Sequence, residues 1–340
     1  MRAARFYQVG KDLKIEKVAV PKVGLDEALV KIKGCGVCHT DIHFIYEGLL
    51  KPGKIPQIMG HEPSGEIVEL GSHVQDHSVG DKVLIHFYQS CGICHYCRIE
   101  KENLCLNLKH FGFNVDGGYS EYAVVGSRHL VKLPEEISYD ACILVDSGVT
   151  SYHAITKVAK LKPGETSMIM GAGGVGLMLI QIAKLSGAEV FAIDVNEEKL
   201  KLAKKVGADK AINSRKKNVF DEVMNFTDKT GVDAVFETVG FENTYEISLN
   251  CLSRGGRLVI IGYQPENYLP RIHPIQLIVK EASILTSRAG THGELKKVVD
   301  LLRREKIQLT VTDKFKLEQV NEALSKLRNG EIIGRAIIVP

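Results

Sequence analysis

The chain has 340 residues, 44% of them hydrophobic, which suits two ordinary cores better than one. Its formal net charge is +3, and acids and bases alternate without forming a basic arm, so neither nucleic acid nor an anionic membrane is indicated as a partner. No window approaches the ~18 apolar residues of a membrane span and Met1–Gly10 has no signal-peptide core, so the expected location is the cytoplasm, where eight cysteines favour metal over disulfides.

Residues 1–148 carry short β-type runs broken by glycine. Ala28–Ile32, Gly65–Leu70, Lys82–Ile85 and Tyr122–Val125 predict strands of an irregular barrel or sandwich. Within this stretch, Gly34-Cys-Gly-Val-Cys38-His-Thr-Asp-Ile-His43 and Gly60-His61-Glu62 gather thiols, imidazoles and carboxylates. A catalytic zinc takes three protein ligands and keeps one open position, and Cys38 and His61 are the natural first two. Cys35 reads as a buried apolar thiol, as do Cys142 and Cys251. His39 reads equally as a surface residue or as part of a coenzyme site.

Cys91-x2-Cys94-x2-Cys97-x7-Cys105 then places four thiols within fifteen residues. Four thiolates close around one tetrahedral Zn²⁺ with no open position, the pattern of a structural site, here in a lobe (91–105) with little apolar core of its own. Cys91-Gly-Ile-Cys94-His95 also matches c-type haem attachment, but that chemistry requires export and leaves Cys97 and Cys105 unused. An Fe–S cluster on the same four thiolates is the remaining alternative.

After residue 149 strands and helices alternate, which predicts a parallel, doubly wound sheet. Ser167–Met170 reads as a buried strand, and Gly171-Ala-Gly173-Gly174-Val175-Gly176 opens a helix running to Lys184. Val190–Ile193 is the next strand, ending at Asp194, 18 residues after Gly176, and a helix follows from Glu197 to Val206. Strand, glycine-rich turn, helix and a later acid together make the dinucleotide fingerprint. Gly171 permits the tight turn, Gly173 lets backbone approach the pyrophosphate, and Gly176 lets helix and strand pack closely. Asp194 is placed to accept the ribose hydroxyls and repel a 2′-phosphate, favouring NAD over NADP, with Lys199 within reach of the same ribose. Ala211–Ile212, Ala234–Phe236 and Arg257–Ile261 continue the strands. The tail predicts helices over Leu295–Arg304 and Leu317–Arg328 and a final strand, Ala336–Val339, whose return to the first domain would make that domain discontinuous.

These motifs, in this order, resemble a zinc-containing alcohol dehydrogenase of the medium-chain dehydrogenase/reductase superfamily, over essentially the whole chain. The resemblance implies an α/β protein: a GroES-like β-rich catalytic domain (1–148 and 288–340) and a Rossmann NAD-binding domain (149–287). It implies two zinc ions per chain, NAD, a small alcohol or carbonyl substrate, and a homo-oligomer, either tetramer or dimer. It makes Thr40 the hydroxyl that meets the substrate alcohol and His43 the far end of a proton relay. Asp41 becomes the carboxylate orienting His61, and Glu62 the acid behind the metal. Val175 falls behind the nicotinamide, Thr150 on the coenzyme, and Arg335 near the pyrophosphate. The chain departs from the family where a cysteine usually supplies the third zinc ligand, since Leu144-Val-Asp146-Ser-Gly-Val-Thr150 has an acid there. Asp146 itself, or Glu62 or water, completes the shell; a site that holds zinc poorly is the third possibility. The weaker readings of the whole are a polyol or sugar dehydrogenase, a zinc-poor carbonyl or ene reductase, and a non-catalytic NAD-binding protein. The apolar and aromatic segment Phe44–Leu50, with Leu108–Phe113, is expected to border the substrate.

Overall fold

The computed structural model describes residues 1–49, 51–264 and 271–340. The chain forms two units, one of Met1–Val149, Gly290–Glu305 and Leu309–Pro340, the other of Thr150–Ala289 with Lys306–Gln308. No helix among the described residues is long and apolar enough to cross a membrane.

The first unit is organised around the strand Glu27–Val37, which is buried on both faces for most of its length and so runs well past the expected Ala28–Ile32. One edge pairs antiparallel with Glu62–Leu70. The other edge takes Tyr122–Gly126 against its first half and the C-terminal strand Arg335–Val339 against its second. The chain's last strand therefore does belong to the first unit. Val311–Lys316 lies parallel beside it, a strand the sequence did not suggest because its exposed residues are polar or charged. Beneath the sheet, Val37, Ile42, Phe44, Ile45, Met59, Tyr119, Leu317, Val320 and Leu324 form the core. Gly36 is required locally: a Cβ there would lie 2.1 Å from Glu62 Oε2, so its absence lets a buried carboxylate rest against the strand.

The second unit is a six-stranded sheet in the spatial order Lys210–Asn213, Glu189–Asp194, Thr166–Met170, Val232–Glu237, Leu252–Ile260, Ser283–Thr286, with every neighbouring pair parallel. This is the 3-2-1-4-5-6 order of the doubly wound dinucleotide fold, whose ligand crevice opens where the order reverses. The reversal falls at Thr166–Met170, and the glycine-rich loop leaves that strand at its carboxyl end. Gly174–Leu185 follows as a helix with Leu177, Met178, Leu179, Ile180 and Ile182 buried. The short excursion Lys306–Gln308 is tied to this helix by reciprocal bonds: Gln308 N–H donates to Gln181 Oε1 (2.8 Å), and Gln181 Nε2 donates to the Gln308 carbonyl (3.2 Å).

Candidate active site

Cys38 is the residue at which the strand Glu27–Val37 gives way to the helix His39–Ile45. Its backbone N–H donates to Asp41 Oδ2 (3.1 Å), which caps the helix and fixes the thiol at its start. His61 begins the next segment of the sheet, and Asp146 lies just before the helix Ser147–His153. One donor atom each from Cys38, His61, Glu62 and Asp146 lies within 4.8 Å of the others. Cys38 Sγ is 3.3 Å from Asp146 Oδ2, and His61 Nε2 is 3.9 Å from the same oxygen. A tetrahedral zinc with bonds of about 2.0–2.3 Å sets such edges at roughly 3.3–3.6 Å. The Cys38–Asp146 separation lies in that range and the His61–Asp146 separation a few tenths of an ångström above it, so the donor set suits the ion. Burial, and then the Asp146 charge, pushes the Cys38 thiol above its ordinary value, a conflict between buried acidic groups that a divalent cation relieves.

The surrounding groups aim the ligands. Asp41, fully buried, lies 3.2 Å from His61 Nδ1, which turns Nε2 toward the cluster. Its Oδ2 also accepts from the Tyr119 hydroxyl at 2.8 Å. Glu62 is fully buried; one oxygen meets the Arg335 guanidinium, while Oε1 has no hydrogen-bond partner and lies 3.7 Å from His61 Nε2. Burial raises its pKa to about 7 against the lowering pull of Arg335. An orphaned carboxylate oxygen beside the ligand set is what an acid behind a metal should show. Arg335, expected at the pyrophosphate, thus has its guanidinium in this cluster, a partnership 273 residues apart in sequence that no local pattern signals.

Thr40 Oγ1 is 3.5 Å from Cys38 Sγ. His43 is buried rather than solvated, and its Nδ1 meets Glu47 Oε2 at 2.5 Å, one helical turn on. Glu47 escaped the sequence reading, although an i,i+4 acid after a relay histidine is a legible signal. His39 is exposed, with its ring centre 5.0 Å from that of His43 in an edge-on arrangement. Of the segments expected to border the substrate, Phe44 and Ile45 are instead fully buried in the core, with Phe44 edge-on to Phe6 and stacked on Phe113, which does lie beside His61 as expected. The rings beside His61 are Phe113, at 4.8 Å, and Phe87, at 5.5 Å, and Leu50 lies outside the described residues.

In the cysteine lobe, sulfur–sulfur distances are 4.0 Å for Cys91–Cys97, 3.5 Å for Cys94–Cys97, 3.8 Å for Cys94–Cys105 and 3.5 Å for Cys91–Cys105. Four zinc–sulfur bonds of about 2.3 Å in a tetrahedron require about 3.8 Å. The N–H groups of Ile93 and Cys94 draw the Cys91 thiol down to about 6, ready to ligate as thiolate. Ile93, Ile99, Leu104 and Leu106 are exposed, so the lobe has little apolar core to replace an ion.

In the second unit, Gly171 has φ +95°, a left-handed conformation that favours glycine. A Cβ on Gly176 would sit 1.9 Å from the Gly171 carbonyl oxygen, whereas one on Gly173 would meet nothing within 4 Å. Close packing behind the loop and open space before it suit a pyrophosphate laid on the helix N-terminus beginning at Gly174 and Val175. Asp194 Oδ2 accepts from Ala172 N–H (2.8 Å) and Oδ1 from Val195 and Asn196 N–H (2.8 and 2.9 Å). Lys199 follows in the first turn of the Asn196-capped helix. Thr150 is buried, and the hydroxyl of its neighbour Ser151 donates to the Val175 carbonyl (3.2 Å).

Two family models match the chain: an alcohol dehydrogenase GroES-like domain over residues 24–135 and a zinc-binding dehydrogenase over residues 174–304. The NAD-dependent alcohol dehydrogenase of Sulfurisphaera tokodaii is 37% identical over 352 residues, covering 100% of each chain. An alcohol dehydrogenase of Geobacillus stearothermophilus is 36% identical over 341 residues, covering 99% of each. The crystal structure of the alcohol dehydrogenase from Aeropyrum pernix superposes with a TM-score of 0.94 at 37% identity, again covering 100% of both chains. With its GroES-like and doubly wound units, its two sets of metal donors and its dinucleotide loop, the chain belongs to the zinc-containing, medium-chain alcohol dehydrogenase family.

Proposed function

We propose that this chain is an NAD-dependent zinc alcohol dehydrogenase that interconverts a primary or secondary alcohol and its carbonyl compound, with the catalytic ion held by Cys38, His61 and Asp146. The observation that carries the reading is the convergence of one thiol, one imidazole and two carboxylates, Glu62 being the second, within 4.8 Å in a buried place. Bound zinc supplies a Lewis acid that lowers the pKa of the substrate hydroxyl, and NAD supplies the hydride acceptor. Thr40 Oγ1, beside Cys38, takes the hydroxyl proton, and His43 receives it at the end of the relay. Glu47 keeps a proton on His43 Nδ1, so Nε2 is the receiving atom. Asp41 keeps His61 Nε2 deprotonated toward the ion. Glu62 and Arg335 form a neutral pair behind the ligands, and the carboxylate's unpartnered Oε1 would be a further donor available to a bound ion. Phe87 and Phe113 beside His61 support an apolar alcohol of modest size over a sugar. Gly171, Gly173, Gly174, Val175, Gly176, Thr150, Asp194 and Lys199 hold NAD.

The four thiols Cys91, Cys94, Cys97 and Cys105 hold the structural ion, and eight cysteines without a disulfide suit a reducing cytoplasm. We also infer a homo-oligomer, a dimer or tetramer, from the exposed Ile275, Ile278 and Val279 on the helix Pro274–Lys280, next to the edge strand Ser283–Thr286.

Metal analysis joined to an NAD-linked alcohol panel tests the reading. Two zinc ions per chain are expected, with activity lost as the first is chelated, and Asp146→Ala is expected to lower kcat more than about 100-fold. One zinc per chain, with full activity on a carbonyl or ene substrate after chelation, would replace it by a zinc-poor reductase.

A further inference from the structure

We propose that Tyr119 is a positioning residue for the catalytic zinc, acting through Asp41 on His61; this rests on the Cys38–His61–Asp146 reading above. Tyr119 is fully buried, and its hydroxyl donates to Asp41 Oδ2 at 2.8 Å with the Gly36 carbonyl at 3.2 Å. Asp41 is also without exposure, so its carboxylate depends on buried partners rather than bulk solvent. Among the described residues three groups meet it: His61 Nδ1 at 3.2 Å, Cys38 N–H at 3.1 Å and this phenol. Two of the three partners are backbone or ring atoms of metal ligands. The phenol is the one that locks the carboxylate from outside the site, against rotation about its own bond.

A second contact makes the same residue hold the loop that carries His61. Gly60 has φ +91°, and a Cβ on it would lie 2.6 Å from Tyr119 Cδ1, so the phenol ring occupies the place a side chain would take. The adjoining backbone forms a clamp. Gly117 N–H donates to the Ile58 carbonyl (2.9 Å), Tyr119 N–H to Met59 (2.8 Å) and Gly118 N–H to Gly60 (2.7 Å). Gly117 itself admits no side chain, since a Cβ would come 2.4 Å from the Gly60 carbonyl oxygen. The segment Gly117-Gly-Tyr119 therefore fixes His61 twice, by its backbone through the clamp and by its ring through Asp41. Partners that orient a ligand histidine are typically worth 10–100-fold in metal affinity.

Tyr119→Phe keeps the ring on Gly60 and removes only the hydroxyl. Zinc release from the holoenzyme into a chromogenic chelator is expected in two phases, one for each site. In Tyr119→Phe the catalytic phase is expected to quicken about 10-fold or more, while the cysteine-lobe phase and the thermal midpoint stay near wild type. With Co²⁺ in the catalytic site, its visible absorption bands are expected to shift. In an Asp41→Asn background the Tyr119→Phe change is expected to add little, because both act through one path. Unchanged catalytic release and an unchanged cobalt spectrum would overturn the proposal, and so would equal quickening of both phases, which marks a general loss of stability. If the wild type holds a single zinc, in the lobe, the proposal falls together with the catalytic-zinc reading; two zinc ions with an indifferent Tyr119→Phe sink the Tyr119 role alone.

Discussion

Asp194 shows how one carboxylate serves two tasks at the residue scale. Its Oδ2 holds the Ala172 N–H of the glycine-rich loop, and its Oδ1 holds the two residues that follow it, so the acid shapes the turn in addition to the ribose contact proposed for it. Asp194→Ser is therefore expected to lower kcat/KM for NAD about 10–100-fold, the size of a lost charge-assisted bond, and to raise the relative use of NADP. Steady-state rates with the two coenzymes check this, and an unaltered NAD/NADP ratio would count against the assignment. Asp194 and the glycines were legible because their meaning lies in spacing along one strand–turn–helix unit. Cys38, His61 and the four lobe thiols were legible for the same reason, as residue types inside short motifs. Tyr119 and the Glu62–Arg335 pair were not, because each acts on a residue 78 or 273 positions away and neither has a spacing to read.

At the scale of elements, the strands that were foreseen are those that carry an apolar run, whether buried on both faces, as Thr166–Met170 and Glu27–Val37 are, or on alternate residues, as Tyr122–Gly126 is. Ser283–Thr286 and Val311–Lys316 were missed because both are edge strands and carry half-exposed or polar residues. The pairing of Lys82–Ile85 with Leu130–Lys132 has its own consequence for stability. At its end His86 N–H donates to the His129 carbonyl (2.9 Å), and both imidazoles are buried. Burial lowers the pKa of His86 to about 4 and that of His129 to about 3. The folded values lie below the unfolded one, so below about 6.5 the unfolded chain binds protons that the folded chain refuses. Stability is thus complete above about pH 6.5 and declines as the pH falls toward 4. At pH 5 each histidine is expected to cost about 2 kcal/mol, and His129→Gln should flatten the fall in thermal midpoint between pH 7 and 5. A midpoint that stays level over that interval in the wild type would rule this out.

For the molecule as a whole, the two units are assembled from a chain that returns, since Gly290–Glu305 and Leu309–Pro340 belong with the N-terminal residues. That return was visible in the final apolar strand, whereas the small exchange at Lys306–Gln308 was not, depending as it does on one glutamine side chain. The second unit ends in an open sheet edge at Ser283–Thr286, beside a helix on which Ile275, Ile278 and Val279 are more than half exposed. Ile278→Asp is expected to shift the oligomer proposed above toward monomer in sedimentation velocity, and a distribution the same as wild type would count against this face as its interface.

The cysteine lobe carries a consequence for ageing. Cys91 and Cys105 lie with their sulfurs 3.5 Å apart, as do Cys94 and Cys97. Once the ion is gone, each pair is close enough to be oxidised to a disulfide, and a disulfide cannot take zinc back. Metal loss in air is therefore a ratchet: the enzyme's working life outside a reducing medium is set by how rarely this one ion leaves.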